Sequence, residues 1–284
     1  MTIKIVTDST SYIPQPLLDQ YQISVVSLGV AFGTETFPEI EINNDAFYQK
    51  MSQSKNIPTS SQPPVLDFYN VFEKHILNND QVVAILISEA MSGTYSTALL
   101  AKSMILERYP EAVIEVVNSE SNSMQLGFAV LAGAKASQAG KAMPEVFEQV
   151  HQNISRSRFL FVPEVLDYLR KGGRIGGAAA LLGSLLQIKP ILTVKNGKTA
   201  VLGKVRSKGR AIEEMLRVFF EDIKSKGLGE VVVHHIHNEF DGKLLARRIE
   251  EALQCTVHLC PLGPVIGLHV GPGTIGLVYY TLRN

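Results

Sequence analysis

The 284-residue sequence has no tryptophan, only two cysteines (Cys255 and Cys260), and no net charge, since 27 Lys and Arg balance 27 Asp and Glu. Two thiols exclude a disulfide framework and favour a reducing, cytoplasmic location. Without net charge, no field-driven attraction to nucleic acid or to an anionic membrane is expected. The chain has no apolar run of about eighteen residues and no secretory signal at its start, so no transmembrane segment is predicted.

Hydrophobic patterning predicts alternating strands and helices in the first half of the chain. Runs of β-branched residues predict strands at 3–6, 23–30, 82–87 and 113–117. Pro63 and Pro64 are predicted to open one intervening helix and Ser92 to cap another. This alternation is typical of a parallel sheet with helices on both faces, so an N-terminal Rossmann-like α/β domain is expected.

The second half predicts another α/β domain. Asn196-Gly197 predicts a hairpin between strands at 189–194 and 199–205. Helices at 210–224 and 241–253 alternate with strands at 231–236 and 256–259. No linker rich in Gly, Ser or Pro separates the halves. We place the boundary near residue 157, where the pattern of elements changes. The expected domains are therefore 1–157 and 158–284, with a ligand between them.

Small hydroxyl residues follow three of the predicted strands, in segments 7–11, 88–94 and 118–121, and a fourth segment, 58–63, has the same chemistry. If the strands are parallel, the turns meet at the carboxyl edge of the sheet, where open α/β sheets bind ligands. Hydroxyls and the N–H groups of helix N-termini suit a small anion but supply no strong nucleophile or base. Ser92 therefore has two interpretations, a structural cap or an anion ligand.

Motifs that would indicate other chemistry fail on their context. Residues 271–276 match G-x-G-x-x-G, but a strand follows instead of a helix, so a nicotinamide cofactor is rejected and a turn of backbone amides that closes a pocket is preferred. His234, His235 and His237 lack the spacing of a metal shell, and hydrogen-bonded strand-end histidines are the better interpretation. No metal is expected. The basic residues at 204–210 are too few for nucleic acid and indicate either a docking surface for an acidic partner or plain solvation.

Six segments, in this order along the chain, resemble those of the DegV family of bacterial proteins: 7–11, 58–63, 92–95, 166–175, 188–192 and 271–276. The resemblance covers essentially the full length. It implies the DegV fold, a two-domain α/β protein that binds a long-chain fatty acid in a buried tunnel. The best-studied members are binding subunits of fatty acid kinase. They present the acyl chain to a separate kinase and carry the acyl phosphate toward phospholipid synthesis.

The resemblance also implies roles for particular residues. Thr59, Ser92 and His269 stand where the family holds the carboxylate, with Ser60 and other neighbours completing the site. Ser60 departs from the second threonine common in the family but keeps a hydroxyl. The neighbouring site residues that the resemblance adds are Ser61, Gly93 and Arg174.

Further expectations concern partners and activity. Arg206 matches the family position implicated in engaging the kinase, and an acyltransferase at the membrane surface would be a further partner. The domain at 158–284 would supply an apolar tunnel wall, in part from residues 178–186, and the closing turn at 271–276. No catalytic residue and no cofactor besides the bound fatty acid are expected.

An alternative remains open. The same edge of the sheet would suit an enzyme that acts on a small carboxylated or phosphorylated metabolite, with Asp8 or His269 as general base. A transcriptional or scaffold role has less support, because the sequence shows neither a helix-turn-helix pattern nor a basic face.

Overall fold

The computed structural model describes residues 2–54, 56–182 and 188–284. The strands of this part of the chain are β1 (Ile3–Asp8), β2 (Ser24–Val26), β3 (Gly29–Phe32), β4 (Glu35–Pro38), β5 (Thr59–Ser61), β6 (Gln81–Leu86), β7 (Ile114–Asn118), β8 (Ser157–Val162), β9 (Lys189–Lys195), β10 (Lys198–Val205), β11 (Leu228–His235), β12 (His258–Pro261) and β13 (Ile275–Thr281). The α-helices are α1 (Gln15–Tyr21), α2 (Asn44–Gln53), α3 (Val65–Leu77), α4 (Thr94–Arg108), α5 (Ser123–Gln138), α6 (Met143–Arg156), α7 (Asp167–Lys171), α8 (Lys208–Lys226), α9 (Glu239–Leu253) and α10 (Pro264–Val270).

The chain forms two compact units, and it passes between them more than once. The first unit comprises Met1–Glu41 and Ser60–Ser155, and the second comprises Ile42–Thr59 and Arg156–Asn284. The sequence predicts a single division near residue 157 and gives no signal for the excursion that contains α2. The division into domains 1–157 and 158–284 stays a prediction.

The first unit is built on a parallel sheet with strand order β2-β1-β6-β7, which confirms the predicted architecture. One face of this sheet, including Val6, Ala84 and Leu86, packs against α3 and α4. Phe68 and Phe72 of α3 are fully buried in that core. They are four residues apart and so lie on one side of the helix.

The predicted strand at 23–30 is wrong in one respect, because the structure divides it into β2 and β3. β2 pairs with β1, whereas β3 belongs to a second sheet of order β4-β3-β5. The chain leaves the first sheet at Ser27 and Leu28, where the N–H of Leu28 donates to Ser9 Oγ at 3.1 Å. This hydroxyl satisfies a backbone group that would otherwise need a strand partner. Hydrophobic patterning cannot reveal that a side-chain hydroxyl takes the place of a strand partner.

Asp8 joins the ends of β1 and β6. Its buried carboxylate accepts hydrogen bonds from the Thr10 N–H at 3.0 Å, from Thr10 Oγ1 at 2.5 Å and from the Ile87 N–H at 2.7 Å. Burial raises the pKa of Asp8, and these hydrogen bonds partly oppose that rise. The carboxylate therefore holds the turn after β1 against the turn after β6.

The third turn joins the same edge. The Ser88 N–H donates to Ser121 O at 2.8 Å, and the Glu89 N–H donates to Asn118 Oδ1 at 3.3 Å. The three hydroxyl-rich turns therefore meet at the carboxyl edge of the parallel sheet, as the strand pattern predicts.

The second unit contains a mixed sheet with strand order β10-β9-β8-β13-β11-β12. β9 and β10 form the predicted antiparallel hairpin, with Asn196 and Gly197 at φ 50° and 73°. Helices α8 and α9 bury Met215, Phe219 and Ile249 in the core of this unit. Gly176–Leu181 forms a 3-10 helix, so the predicted apolar stretch at 178–186 begins there and its residues from 183 onward lie outside the described residues.

Gly276 lies at the centre of this sheet with no room for a side chain. A Cβ at this position would lie 2.6 Å from Leu160 O and 2.8 Å from Phe161 Cβ on the neighbouring strand. The last glycine of the G-x-G-x-x-G match therefore serves strand packing between β13 and β8.

We expect Gly276→Ala to lower the free energy of unfolding by about 1–3 kcal/mol, because the added methyl group overlaps a backbone oxygen. Gly203→Ala in β10 is the matched control, since its Cβ would meet only Ile191 Cδ1 at 3.4 Å. The control should change stability by less than about 0.5 kcal/mol. Urea denaturation of both variants is the measurement, and equal midpoints would contradict the packing argument.

We expect Asp8→Asn to destabilise the protein by about 1–3 kcal/mol, because an amide N–H would face one of the three donors that the carboxylate now accepts. Asp19→Asn on the exposed surface of α1 should change stability by less than about 0.5 kcal/mol. Thermal unfolding monitored by circular dichroism compares the two. An Asp8→Asn protein that unfolds at the same temperature as the Asp19→Asn control would show that the link between the turns is dispensable.

Candidate functional site

Ser92 lies in the turn before α4 but is not its N-cap, so the predicted cap is wrong by one residue. The helix begins at Thr94, and Gly93 occupies the N-cap position with no side-chain hydrogen bond. Ser92 Oγ instead lies 2.8 Å from Thr94 Oγ1 and receives a long hydrogen bond, 3.4 Å, from the Thr94 N–H. Ser92 is partly exposed, whereas Thr94 is fully buried.

Gly93 allows Gln62 to lie against the first turn of α4. A Cβ on Gly93 would lie 1.8 Å from Gln62 Oε1, so a larger residue here would force the Gln62 side chain to move. Gln62 Nε2 donates to Thr97 Oγ1 at 2.7 Å, and Thr97 Oγ1 donates to Gly93 O at 3.1 Å. These bonds attach the hydroxyl segment to the helix.

Within that segment the three hydroxyl residues differ in position. Ser61 Oγ lies beside β3, where a Cβ on Gly29 would come within 2.5 Å of it. Thr59 and Ser61 are exposed and Ser60 is partly exposed. The boundary between the two units falls within β5, with Thr59 in the second unit and Ser60 and Ser61 in the first.

The side chains of the third turn and of Asp8 form their hydrogen bonds within the first unit. Ser121 Oγ donates to Ser119 Oγ at 3.1 Å, and both serines are buried. Both oxygens of Asp8 accept hydrogen bonds from backbone or Thr10 groups. A general base needs an oxygen directed at substrate, so the geometry of Asp8 is that of a structural carboxylate.

In the second unit, His269 and Arg174 meet at one glycine turn. A Cβ on Gly172 would lie 2.2 Å from His269 Nδ1, so the imidazole packs directly on this turn. Arg174 Nη1 donates to Gly172 O at 2.6 Å. Burial, with a smaller contribution from the Arg174 charge, lowers the pKa of His269 to about 4. At neutral pH this imidazole is therefore an uncharged hydrogen-bonding group beside a cation.

The glycine-rich turn at 271–276 is held by bonds of its own. Gly271 has φ +93°, and the ring of Tyr168 covers the place where its Cβ would stand. Thr274 Oγ1 donates to Gly271 O at 2.8 Å. The N–H of Gly273 donates to Ile236 O at 2.8 Å. The turn is therefore a fixed entry to β13.

Arg206 is exposed at the start of α8. The next residue, Ser207, is the N-cap of that helix and accepts from the Arg210 N–H at 3.3 Å. Lys208 follows, and it pairs with Asp241 at 2.9 Å and Glu164 at 3.3 Å. Arg206 is thus an exposed residue immediately before an ordered helix start.

The histidines of β11 have hydrogen-bond partners in the second unit. His234 Nδ1 lies 2.9 Å from Cys260 O, and burial lowers the pKa of His234 to about 4. His235 Nδ1 accepts from the Asn238 N–H at 3.3 Å. Within residues 2–54, 56–182 and 188–284, no three His, Cys, Asp or Glu side chains are grouped to bind a metal ion. Over the same residues, every helix is too short or too polar to cross a membrane.

Sequence reasoning missed Gln62, Thr94 and Thr97. Gln62 and Thr97 contact each other across 35 residues of chain, whereas Thr94 bonds to Ser92 two residues away. The glycine at position 93, between two hydroxyl residues, is the signal that could have indicated a close approach.

Comparisons with known proteins agree with this fold. The model of the DegV family, whose members are described as uncharacterised proteins, matches residues 2–282. A DegV domain-containing protein of Clostridium acetobutylicum is 49% identical, with 100% of this chain and 99% of that protein aligned.

Solved structures are similar over the whole chain. A fatty-acid-binding DegV family protein from Thermus thermophilus aligns with TM-score 0.91 and 31% identity, covering 99% of this chain and 100% of that one. A stearic acid-binding protein from Eubacterium ventriosum aligns with TM-score 0.90 and 27% identity, covering 99% and 98%. The α/β architecture with parallel and mixed sheets is thus the one found in these structures, and the chain belongs to the DegV family.

Proposed function

We propose that this protein binds a long-chain fatty acid and does no chemistry alone. The observation that carries the proposal is that the similar structures from Thermus thermophilus and Eubacterium ventriosum are of fatty-acid-binding proteins, at 31% and 27% identity along nearly the whole chain. The polar groups described above supply what such a ligand needs at its head.

The proposed carboxylate ligands are Thr59, Ser92 and His269, with Arg174 nearby. Two hydroxyls and a neutral imidazole offer directed donors without a buried charge of their own. Hydrogen bonds from them would offset the loss of water around the carboxylate. Ser60, Ser61 and Gly93 would complete the site around those donors.

Apolar burial would supply most of the affinity. An acyl chain of about fourteen methylenes gains up to roughly 11 kcal/mol, at about 0.8 kcal/mol for each buried CH₂, before ordering costs. The head group then needs to add orientation and selectivity more than free energy.

The finer proposal concerns partners. The bound carboxylate is phosphorylated by a separate fatty acid kinase that contacts Arg206, and the acyl phosphate then moves toward phospholipid synthesis in the cytoplasm. An exposed arginine at a helix start supports this role, because Arg is enriched at protein interfaces. The structural role of Asp8 favours a carrier over the alternative of an enzyme with that residue as base.

We expect denaturing extraction of the purified protein, followed by mass spectrometry, to release about one fatty acid for each chain. A delipidated sample should rebind a long-chain fatty acid and not a short carboxylate such as acetate, because only the former buries an alkyl chain. Turnover of a small metabolite without any kinase, together with an empty binding site, would contradict the proposal.

We expect the pKa of His269 to rise from about 4 when a fatty acid binds, because a carboxylate favours the protonated ring. By linkage, affinity for the acid should increase as the pH falls through the raised pKa. NMR titration of the ring, assigned by comparison with His269→Asn, measures the shift. A fatty alcohol of equal length is the control and should leave the pKa unchanged. An equal shift with acid and alcohol would place the carboxylate away from His269.

A further inference from the structure

The Ser92 hydroxyl has one proton to donate and two lone pairs to accept with, so its usefulness as a ligand depends on which way its bond to Thr94 runs. The two oxygens are 2.8 Å apart, and geometry alone allows either one to be the donor. The surroundings of Thr94 decide the direction.

Thr94 is fully buried at the first position of α4. Among the described residues, Ser92 Oγ is the sole hydrogen-bond partner of Thr94 Oγ1. A buried hydroxyl proton that finds no acceptor carries a substantial energetic cost. Thr94 therefore donates to Ser92, because the opposite direction would leave its own proton without an acceptor.

With this direction fixed, the oxygen of Ser92 accepts from both the hydroxyl and the N–H of Thr94. The remaining hydrogen-bonding element of Ser92 is its own proton. Ser92 is partly exposed, so that proton is available to an acceptor outside the turn. The Thr97 hydroxyl also has a fixed direction, because it accepts from Gln62 and donates to Gly93 O.

We propose that Thr94 is a positioning residue that fixes Ser92 as a hydrogen-bond donor and so makes this turn selective for an anionic head group. The inference rests on the proposed function, since it assigns the ligand of Ser92 as a carboxylate. It goes further by naming the residue that determines whether Ser92 donates or accepts a hydrogen bond. A ligand head that must itself donate to Ser92 is disfavoured.

The test compares head groups of one chain length. Hexadecanoic acid presents only acceptors when ionised, whereas hexadecanol can donate or accept. Thr94→Val keeps the shape of the side chain but removes the hydroxyl, so Ser92 is free to reorient. We expect the ratio of acid affinity to alcohol affinity to fall about tenfold, the size of one hydrogen bond to a charged group.

Three variants separate orientation from general damage. Thr94→Ser restores a hydroxyl and should recover the acid preference. Thr193→Val, at a buried threonine of β9, is the matched control and should leave the ratio unchanged. Thr94→Val should have no further effect in a Ser92→Ala background, because the proposed influence passes through Ser92.

The outcomes are distinct. A wild-type protein that binds neither lipid refutes the proposed function. A wild-type protein that prefers the acid, with an unchanged ratio in Thr94→Val, overturns the role of Thr94 alone. If Thr94→Val lowers the ratio of acid affinity to alcohol affinity equally in the wild-type and Ser92→Ala backgrounds, the role is also overturned. Thr94 would then not act through Ser92.

Discussion

The hydroxyl-rich edge of the first unit depends on a buried carboxylate, Asp8, whose two oxygens both accept hydrogen bonds from the protein. Asp8 accepts the N–H of Ile87 at 2.7 Å, and this bond holds the end of β1 against the end of β6. Parallel strands end in backbone groups that need partners, and a polar side chain at the strand end can satisfy them. Gln62 lies against Gly93 and bonds to Thr97 in the first turns of α4. These hydroxyl-rich turns are therefore held by bonds within the first unit, which would lower the ordering cost of binding a ligand there.

The three proposed carboxylate ligands, Thr59, Ser92 and His269, carry no charge at neutral pH. Burial keeps His269 neutral, and the nearby Arg174 charge acts in the same direction. Ser92 presents a proton because Thr94 already occupies its oxygen. Under the proposed function, directed hydrogen bonds would bind the acid and the buried alkyl chain would supply most of the affinity. A chain without net charge could then hold an anion.

Local patterning was sufficient to predict much of the fold. The parallel sheet and the hairpin at Asn196-Gly197 follow from strand periodicity and turn chemistry, which are encoded within a few residues. The division of 23–30 into two strands was not predictable, because the Leu28 N–H finds its partner in Ser9. The excursion through α2 into the second unit was also missed, because no stretch with the composition of a linker marks its ends.

The candidate site shows the same limit. Resemblance to the DegV family indicated Ser92, His269 and Arg174, and the structure brings the last two to the turn at Gly172. Gln62 was passed over because its partner Thr97 is 35 residues away in the chain, and Thr94 because the direction of its hydrogen bond depends on burial. A sequence motif records which residues are present but not which of them must donate.

The most direct test of this account is a crystal structure of the protein with its bound lipid. The account predicts an alkyl chain enclosed by apolar side chains, with a carboxylate oxygen within about 3.2 Å of Ser92 Oγ. A head group bound away from Thr59, Ser92 and His269, or a protein interior packed with no room for an alkyl chain, would contradict it.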